Sequence, residues 1–293
     1  MDYFYLILQT LLFSFGGITI KYSGNAFSPF TTSLLRFLLG MTILFVIQKI
    51  RRKPITLKLA NKWIIFGGIM KACHYLCENY GVMKGNSFGT VIVLPAQTFT
   101  VLLFSTFVMK EKMTRQKVFG TLLTIFGVLL LSWNGLPLDT FLNEQAYILW
   151  FYLFGGIAAA FFNIAQKKLV DSMDIISMNV SMFIYGALVC LCTIPFTMPA
   201  MTGSFGPLPA IGILTLGCCT GIGFLLQALA MRSVSVLIAT VIQSSMSILS
   251  IFWSAVLYHD NVSIYAVIGT CIFVVGILLI NIRFTSDSVG RSR

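Results

Sequence analysis

The sequence predicts an all-α polytopic membrane protein, with ten transmembrane helices arranged as an inverted 5+5 repeat. Three observations lead there. Of the 293 residues, 57% are hydrophobic and only 10% charged, and the mean hydropathy is +0.91. A soluble domain carries about 25% charged residues, which keep its surface wet. The apolar residues fall into runs close to the ~20 that a spanning helix requires. Stretches of the second half also match stretches of the first.

Taken in order, the runs place helices at 3–21, 30–48, 63–83, 87–109 and 116–133, then at 147–166, 177–195, 208–230, 235–257 and 263–282. The start, Met1-Asp2-Tyr3, lacks a basic segment and no small-residue cleavage site follows, so the first run is expected to stay as a helix. The tight connections 83–87 and 230–235 leave a second reading open, in which a bent hairpin passes for one long segment. All seven cysteines lie inside apolar runs and read as small buried residues rather than disulfides or zinc ligands.

The net charge of +11 sits between the runs. Lys49, Arg51, Arg52, Lys53, Lys58 and Lys62 crowd one connection, and Lys110, Lys112, Arg115 and Lys117 another. Lys167, Lys168, Arg232, Arg283, Arg291 and Arg293 fall in 167–176, 231–234 and the tail. The connections 134–146, 196–207 and 258–262 carry no Lys or Arg. By the positive-inside rule the basic set is cytoplasmic, both termini included, which demands an even number of spans. A nucleic-acid reading would need a basic face on a soluble domain, and no such domain is present.

The repeat fixes the layout. Val118-Phe-Gly-Thr-Leu-Leu-Thr-Ile-Phe-Gly-Val-Leu-Leu matches Val267-Ile-Gly-Thr-Cys-Ile-Phe-Val-Val-Gly-Ile-Leu-Leu, so Gly120 and Gly127 fall on Gly269 and Gly276. Glu111 corresponds to Asp260, Met83-Lys84 to Met231-Arg232, and Ser87 to Ser235. Repeats of five helices, an odd number, lie upside down relative to each other. The loops agree: 110–117 is basic, whereas its counterpart Tyr258-His259-Asp260-Asn261 has no Lys or Arg. The predicted units are 1–134, an external connecting loop at 135–146, and 147–293 with a short cytoplasmic tail. Inverted repeats are the architecture of many secondary transporters, with a binding site near the midplane.

A small-residue-rich first helix ends in Lys21, Pro29 and Arg36 open the second, Pro95 lies in the fourth, and Glu111-Lys112 and a Gly120/Gly127 helix follow. This order of features resembles the EamA-type branch of the drug/metabolite transporter superfamily over essentially the whole chain. The resemblance implies a ten-helix inverted-repeat fold and alternating access to a central cavity. It also implies export of amino acids and small metabolites by most members, and import by some. Lys21, Arg36, Pro95 and Glu111 match family positions. The second half departs from the pattern, with Gln243 or Ser244 where a second proline is expected and His259-Asp260 in place of a Glu-Lys pair.

The third helix carries the sharpest signal. Lys71, His74 and Glu78 recur at i, i+3 and i+7 on one face, flanked by Tyr75, with Lys71 near mid-span. A charge at the bilayer centre costs at least about 2.5–3.5 kcal/mol on insertion scales, so this stripe must face protein or water. The repeat counterparts are Cys219, Ile222 and Leu226, so the scaffold itself does not demand charge. One reading is a solute site, with Lys71 meeting a carboxylate, Glu78 an ammonium, and His74 and Glu78 handling a coupled proton. The other is a structural Lys71–Glu78 network. Arg36 either snorkels to headgroups or points inward, whereas Lys21 reads as an interfacial anchor. Gln97, Asn163 and Gln243 are primary amides in apolar helices, each needing a partner. Ser247, Ser250 and Ser254 continue the Gln243 face and read as interhelical packing. Pro95 marks a hinge or static kink.

The function expected is secondary active transport of a small polar or zwitterionic metabolite, an amino acid or related compound, with export favoured. The setting is a bacterial cytoplasmic membrane. An importer of a quaternary amine or nucleotide-sugar-like solute is the alternative within the class. A membrane-embedded enzyme is the alternative outside it, but no nucleophile–base pair, metal-ligand motif or phosphate-cradling loop is found. Partners expected are the solute, the lipid bilayer and protons as coupling ion. No nucleic acid, cofactor or metal is expected, and the oligomeric state stays open.

Overall fold

A computed structural model describes residues 2–108, 114–197, 200–234, 239, 242–243 and 245–281. The described residues are all helical apart from turns and one isolated bridge, Phe27 to Met201. In order the helices are α1 Asp2–Ser14, α2 Gly16–Gly24, α3 Pro29–Ile50, α4 Lys62–Lys84, α5 Thr90–Val108, α6 Arg115–Trp133 and the single turn α7 Leu138–Thr140. There follow α8 Ala146–Leu169, α9 Ile175–Thr197, α10 Pro207–Cys218, α11 Phe224–Ala230, α12 Met246–Trp253 and α13 Ile264–Asn281. Glu111, Ser235, Ser244 and the tail arginines lie outside the described residues.

Among the described residues seven helices are long and apolar enough to cross a membrane: Tyr3–Gly24, Pro29–Ile50, Ser87–Phe104, Arg115–Trp133, Ala146–Leu169, Ile175–Thr193 and Pro207–Ala230. Met246–Tyr258 and Ile264–Ile280 are shorter apolar helices. α4 has the length, 23 residues, but Lys71, His74, Glu78 and Asn79 lower its hydropathy. Its charged middle is buried by α3, α8 and α9, which pack around it. Meanwhile α6 presents Val118, Phe119, Leu122, Ile125, Phe126 and Leu129 outward. So much apolar surface facing out fits lipid, with the backbone polar groups satisfied inside each helix. The chain is an integral membrane protein.

Local sequence sets the helix ends. Ser28 caps α3 by accepting from the Thr31 amide at 3.2 Å, with Pro29 at the first helical position. Asn61 caps α4 by accepting from the Trp63 amide at 2.8 Å. The run expected at 3–21 is divided at Phe15, just before Gly16-Gly17. A side chain at Gly17 would strike the Ser87 carbonyl, so this glycine lets the α4–α5 connection approach. The expected connecting loop 135–146 contains α7 and a π-helical turn at Phe141–Gln145, because Pro137 and Asp139 favour a helical start there. α5 runs unbroken through Pro95.

Several contacts recur in pairs. Lys21 Nζ donates to the Gly85 carbonyl and, at 3.5 Å, to that of Met83, while Lys167 Nζ donates to the Met231 carbonyl and, at 3.5 Å, to that of Arg232. α4 packs on α8, and α10 packs on α2. α6 and α13 meet through glycines: a Cβ on Gly127 would lie 2.6 Å from the Gly269 carbonyl, and one on Gly269 the same distance from that of Gly127. Gly120 and Gly276 face each other in the same way, at 2.8 and 2.7 Å. Such spacing lets two backbones touch, which is how helices associate when lipid supplies no hydrophobic drive.

Gly127→Val is therefore expected to push α6 from α13 and cost about 1–3 kcal/mol, the usual scale of overpacking. The unfolding midpoint of the detergent-solubilised protein reads it out. An unchanged midpoint for both Gly127→Val and Gly269→Val would rule out the close helix pair.

Candidate functional site

The middle turns of α4 form the candidate site. Lys71, His74, Tyr75, Glu78 and Asn79 are all buried. Arg36, two turns into α3, points into the bundle rather than to headgroups: Nη1 lies 3.1 Å from Glu78 Oε2 and donates to Asn79 Oδ1 at 2.8 Å. Asn79 Nδ2 in turn donates to Ser33 Oγ at 2.7 Å. The Arg36 guanidinium also lies 3.6 Å from the Tyr75 ring centroid. Tyr75 is held by a 2.8 Å hydrogen bond between its hydroxyl and Thr220 Oγ1. The charge of Glu78 is thus matched by Arg36.

Lys71 has a different environment. Its Nζ is 3.0 Å from His74 Nδ1 and lies 3.6 Å from the Phe224 ring centroid, 4.3 Å from that of Tyr75 and 4.8 Å from that of Phe162. The donor and acceptor of this contact follow from the protonation of the two groups: an ammonium would donate to Nδ1 of a neutral imidazole. Nε2 sits 3.7 Å from Glu78 Oε2. Desolvated cation–π contacts are worth about 2 kcal/mol or more, which offsets part of the cost of a mid-membrane charge. Among the described residues no carboxylate lies within salt-bridge reach of Lys71. With Lys71 as an ammonium, Arg36, Glu78 and Lys71 together carry one net positive charge.

Beside these groups is a cavity of about 50 Å³, lined by Lys71, His74, Glu78, Gln97, Asn163 and Gln243 together with Phe13, Thr90, Phe224 and Gln227. Since one water needs about 10–15 Å³ on this measure, the space holds about three to five waters, or a small carboxylate. Gln97 Nε2 and Thr90 Oγ1 are buried there without a protein partner. The structure brings together Lys71, His74, Glu78, Gln97, Asn163 and Gln243. Arg36 and Tyr75 stand behind the lining, and Pro95 faces elsewhere. With Ile92, Phe99, Ile125 and Leu129 it lines an apolar cleft of about 160 Å³.

Sequence reading missed the partners of the amides. Gln243 Nε2 donates to Gln9 Oε1 at 3.2 Å, and Gln9 Nε2 to Gln227 Oε1 at 3.2 Å. Gln227 Nε2 donates to Asn163 Oδ1 at 2.7 Å, and Gln166 Nε2 to Asn179 Oδ1 at 2.7 Å. The signal for Gln9, Gln166, Asn179 and Gln227 was the same as for Gln97: an amide inside an apolar run.

A second polar cluster lies at two interhelical connections. Asp260 Oδ2 accepts from the Ser87 amide at 2.7 Å, from Ser87 Oγ at 2.6 Å and from Ser254 Oγ at 2.8 Å. These bonds tie the α4–α5 connection to the α12–α13 connection. Lys21 grips the same connection through Gly85 and lies 5.7 Å from the Tyr258 ring centroid, so it clamps protein.

A family model, the EamA-like transporter family, matches residues 1–133 and 146–282. The chain belongs to the EamA-like transporter family. This EamA-like protein is 24% identical over 290 residues to YoaV, an uncharacterised transporter of Bacillus subtilis (strain 168), covering 97% of this chain and 98% of that one. It is 22% identical over 277 residues to an uncharacterised transporter of Archaeoglobus fulgidus, covering 94% and 97%. A solved crystal structure shares its fold, with a TM-score of 0.71 at 17% identity over 95% of this chain and 97% of that one. The family and these relatives are transporters, which supports a transporter rather than an enzyme.

Two outcomes are expected from the site's bonds. Arg36→Ala leaves Glu78 buried and unpaired and should cost about 3–5 kcal/mol, most of it recovered in the double variant with Glu78→Ala. Strictly additive losses in thermal unfolding would disprove the pairing. Asp260→Ala removes charge-assisted bonds worth about 1.5–3 kcal/mol, so amide exchange over 84–90 should quicken about tenfold or more. Hydrogen–deuterium exchange by mass spectrometry measures this, and unchanged rates would argue against the latch.

Proposed function

We propose that this protein is a secondary active transporter that moves a small polar metabolite bearing a carboxylate, an amino acid or related compound, outward by alternating access. The observation that carries this reading is the buried polar cavity. Its lining comes from both halves of the chain: Phe13, Lys71, His74, Glu78 and Gln97 from one, Asn163, Phe224, Gln227 and Gln243 from the other. Intramembrane ionisable groups around a cavity are expensive and mark solute pathways.

In this reading ten spans form two inverted repeats, 1–134 and 147–293, joined by 135–146, with both termini cytoplasmic. The paired lysine clamps at Lys21 and Lys167 support it, as does the reciprocal facing of Gly120 with Gly276 and Gly127 with Gly269. The basic connections support it too. Gln48 Nε2 donates to Asp174 Oδ2 at 3.4 Å, and the Thr56 amide to Ser177 Oγ at 3.1 Å, so the lysine-rich 51–61 connection shares an end with 170–174. The Asp260 latch then closes the outer path. The amide ladder from Gln243 to Asn163, with Gln166 and Asn179 beyond it, lies toward the cytoplasmic path.

Counterflow in proteoliposomes tests the reading. The wild type should exchange labelled alanine or lactate against an excess of the same solute inside. Lys71→Gln should slow that exchange tenfold or more while keeping the unfolding midpoint. Full exchange by a folded Lys71→Gln variant would sink the site, and no exchange of any small solute by the wild type would sink the transporter mechanism.

A further inference from the structure

We infer that the cargo is a small organic monoanion whose carboxylate sits on Lys71, and that the membrane potential drives it outward without a coupling ion. This rests on the transport reading above and narrows it. The first ground is charge. Arg36 is bonded to Glu78 and His74 Nδ1 lies 3.0 Å from Lys71 Nζ, so with Lys71 as an ammonium the charged groups around the cavity leave one net positive charge. Lys71 is the member without a counter-charge, held by a neutral ring nitrogen and three aromatic rings.

The second ground is hydrogen bonding. The cavity wall offers Gln97 Nε2 and Thr90 Oγ1 without protein partners, and both can donate. Asn163 Oδ1 already accepts from Gln227, and Gln243 is spent on Gln9. A carboxylate meets an ammonium and two donors. A substrate ammonium would meet a carboxylate already matched by Arg36, next to an uncompensated lysine. The ionisable groups around Lys71 are Arg36 from α3 and His74, Tyr75 and Glu78 from α4; the cavity-lining residues of α1, α5, α8, α11 and α12 contribute none.

The energetics follow. With a monoanion bound, the site is neutral overall, so the loaded and closed protein buries no net charge. One negative charge leaves the cell per transport event, and an inside-negative potential favours that step. At 100 mV the equilibrium outside-over-inside ratio is about 50, from the work of moving one elementary charge across the membrane. No proton has to move with the solute, and the Arg36–Glu78 pair need not break to carry one.

The experiment uses the full chain in proteoliposomes, with the potential set by potassium gradients and valinomycin. Lactate, alanine and ethanolamine are the probes, nearly isosteric and differing in net charge; protein-free vesicles define the leak. Lactate is expected to accumulate on the positive side, approaching about 50-fold at 100 mV, and to show no protein-dependent accumulation under a pH gradient with the potential clamped at zero. Alanine should exchange at least tenfold more slowly, and ethanolamine not at all. Lys71→Arg should retain the preference for lactate and Lys71→Gln should lose it.

Accumulation driven by the pH gradient at zero potential would replace this scheme with proton coupling at His74 and Glu78. Preference for alanine or ethanolamine would overturn the monoanion while leaving the transporter reading intact. Absence of flux for all three removes both.

Discussion

One positive charge at the middle of a membrane-spanning bundle sets the terms for what surrounds it. Lys71 cannot leave its helix or reach a headgroup from mid-span, so the fold has to accommodate it. It does so with the rings of Phe224, Tyr75 and Phe162 and the lone pair of His74. Tyr75 serves two cations, since Arg36 also lies on its ring, and Thr220 fixes its hydroxyl. Arg36 and Glu78 neutralise each other, and Asn79 and Ser33 extend that pair into α3. These groups cost more than an apolar core of the same shape would.

Two polar clusters outside the Arg36–Glu78 pair use different chemistry. In one a carboxylate gathers two hydroxyls and a backbone amide, joining two interhelical connections. At the cavity wall, neutral amides run from Gln243 through Gln9 and Gln227 to Asn163. Amides exchange partners without burying or releasing charge, whereas parting the Asp260 cluster would expose a carboxylate.

Much of the fold was legible before any coordinates. Bilayer thickness dictates run length, and the helices at 30–48, 63–83, 116–133 and 147–166 fall within three residues of those found. The α4 stripe was legible for the same kind of reason: three ionisable groups at helical spacing have only one face to share. The break at Phe15 was not, nor was the approach of the Ser87 carbonyl to Gly17 beside it, a contact made about seventy residues away. Nor was the helical content of 138–145, where turn-rich composition masks a good helix start.

Composition, run length and charge placement by themselves determined a membrane protein with cytoplasmic-type basic loops and a charged face on its third long helix. They also singled out Lys71, His74, Glu78, Gln97, Asn163 and Gln243 as residues needing company. Only the tertiary structure decided which company. Glu78 was equally suited to Lys71, to a ligand or to Arg36, and the packing of α3 against α4 gave it to Arg36. That choice leaves Lys71 as the charge without a counter-ion. A sequence lists the charges along a chain, but which of them cancel depends on distances of three to four ångströms between helices far apart in it.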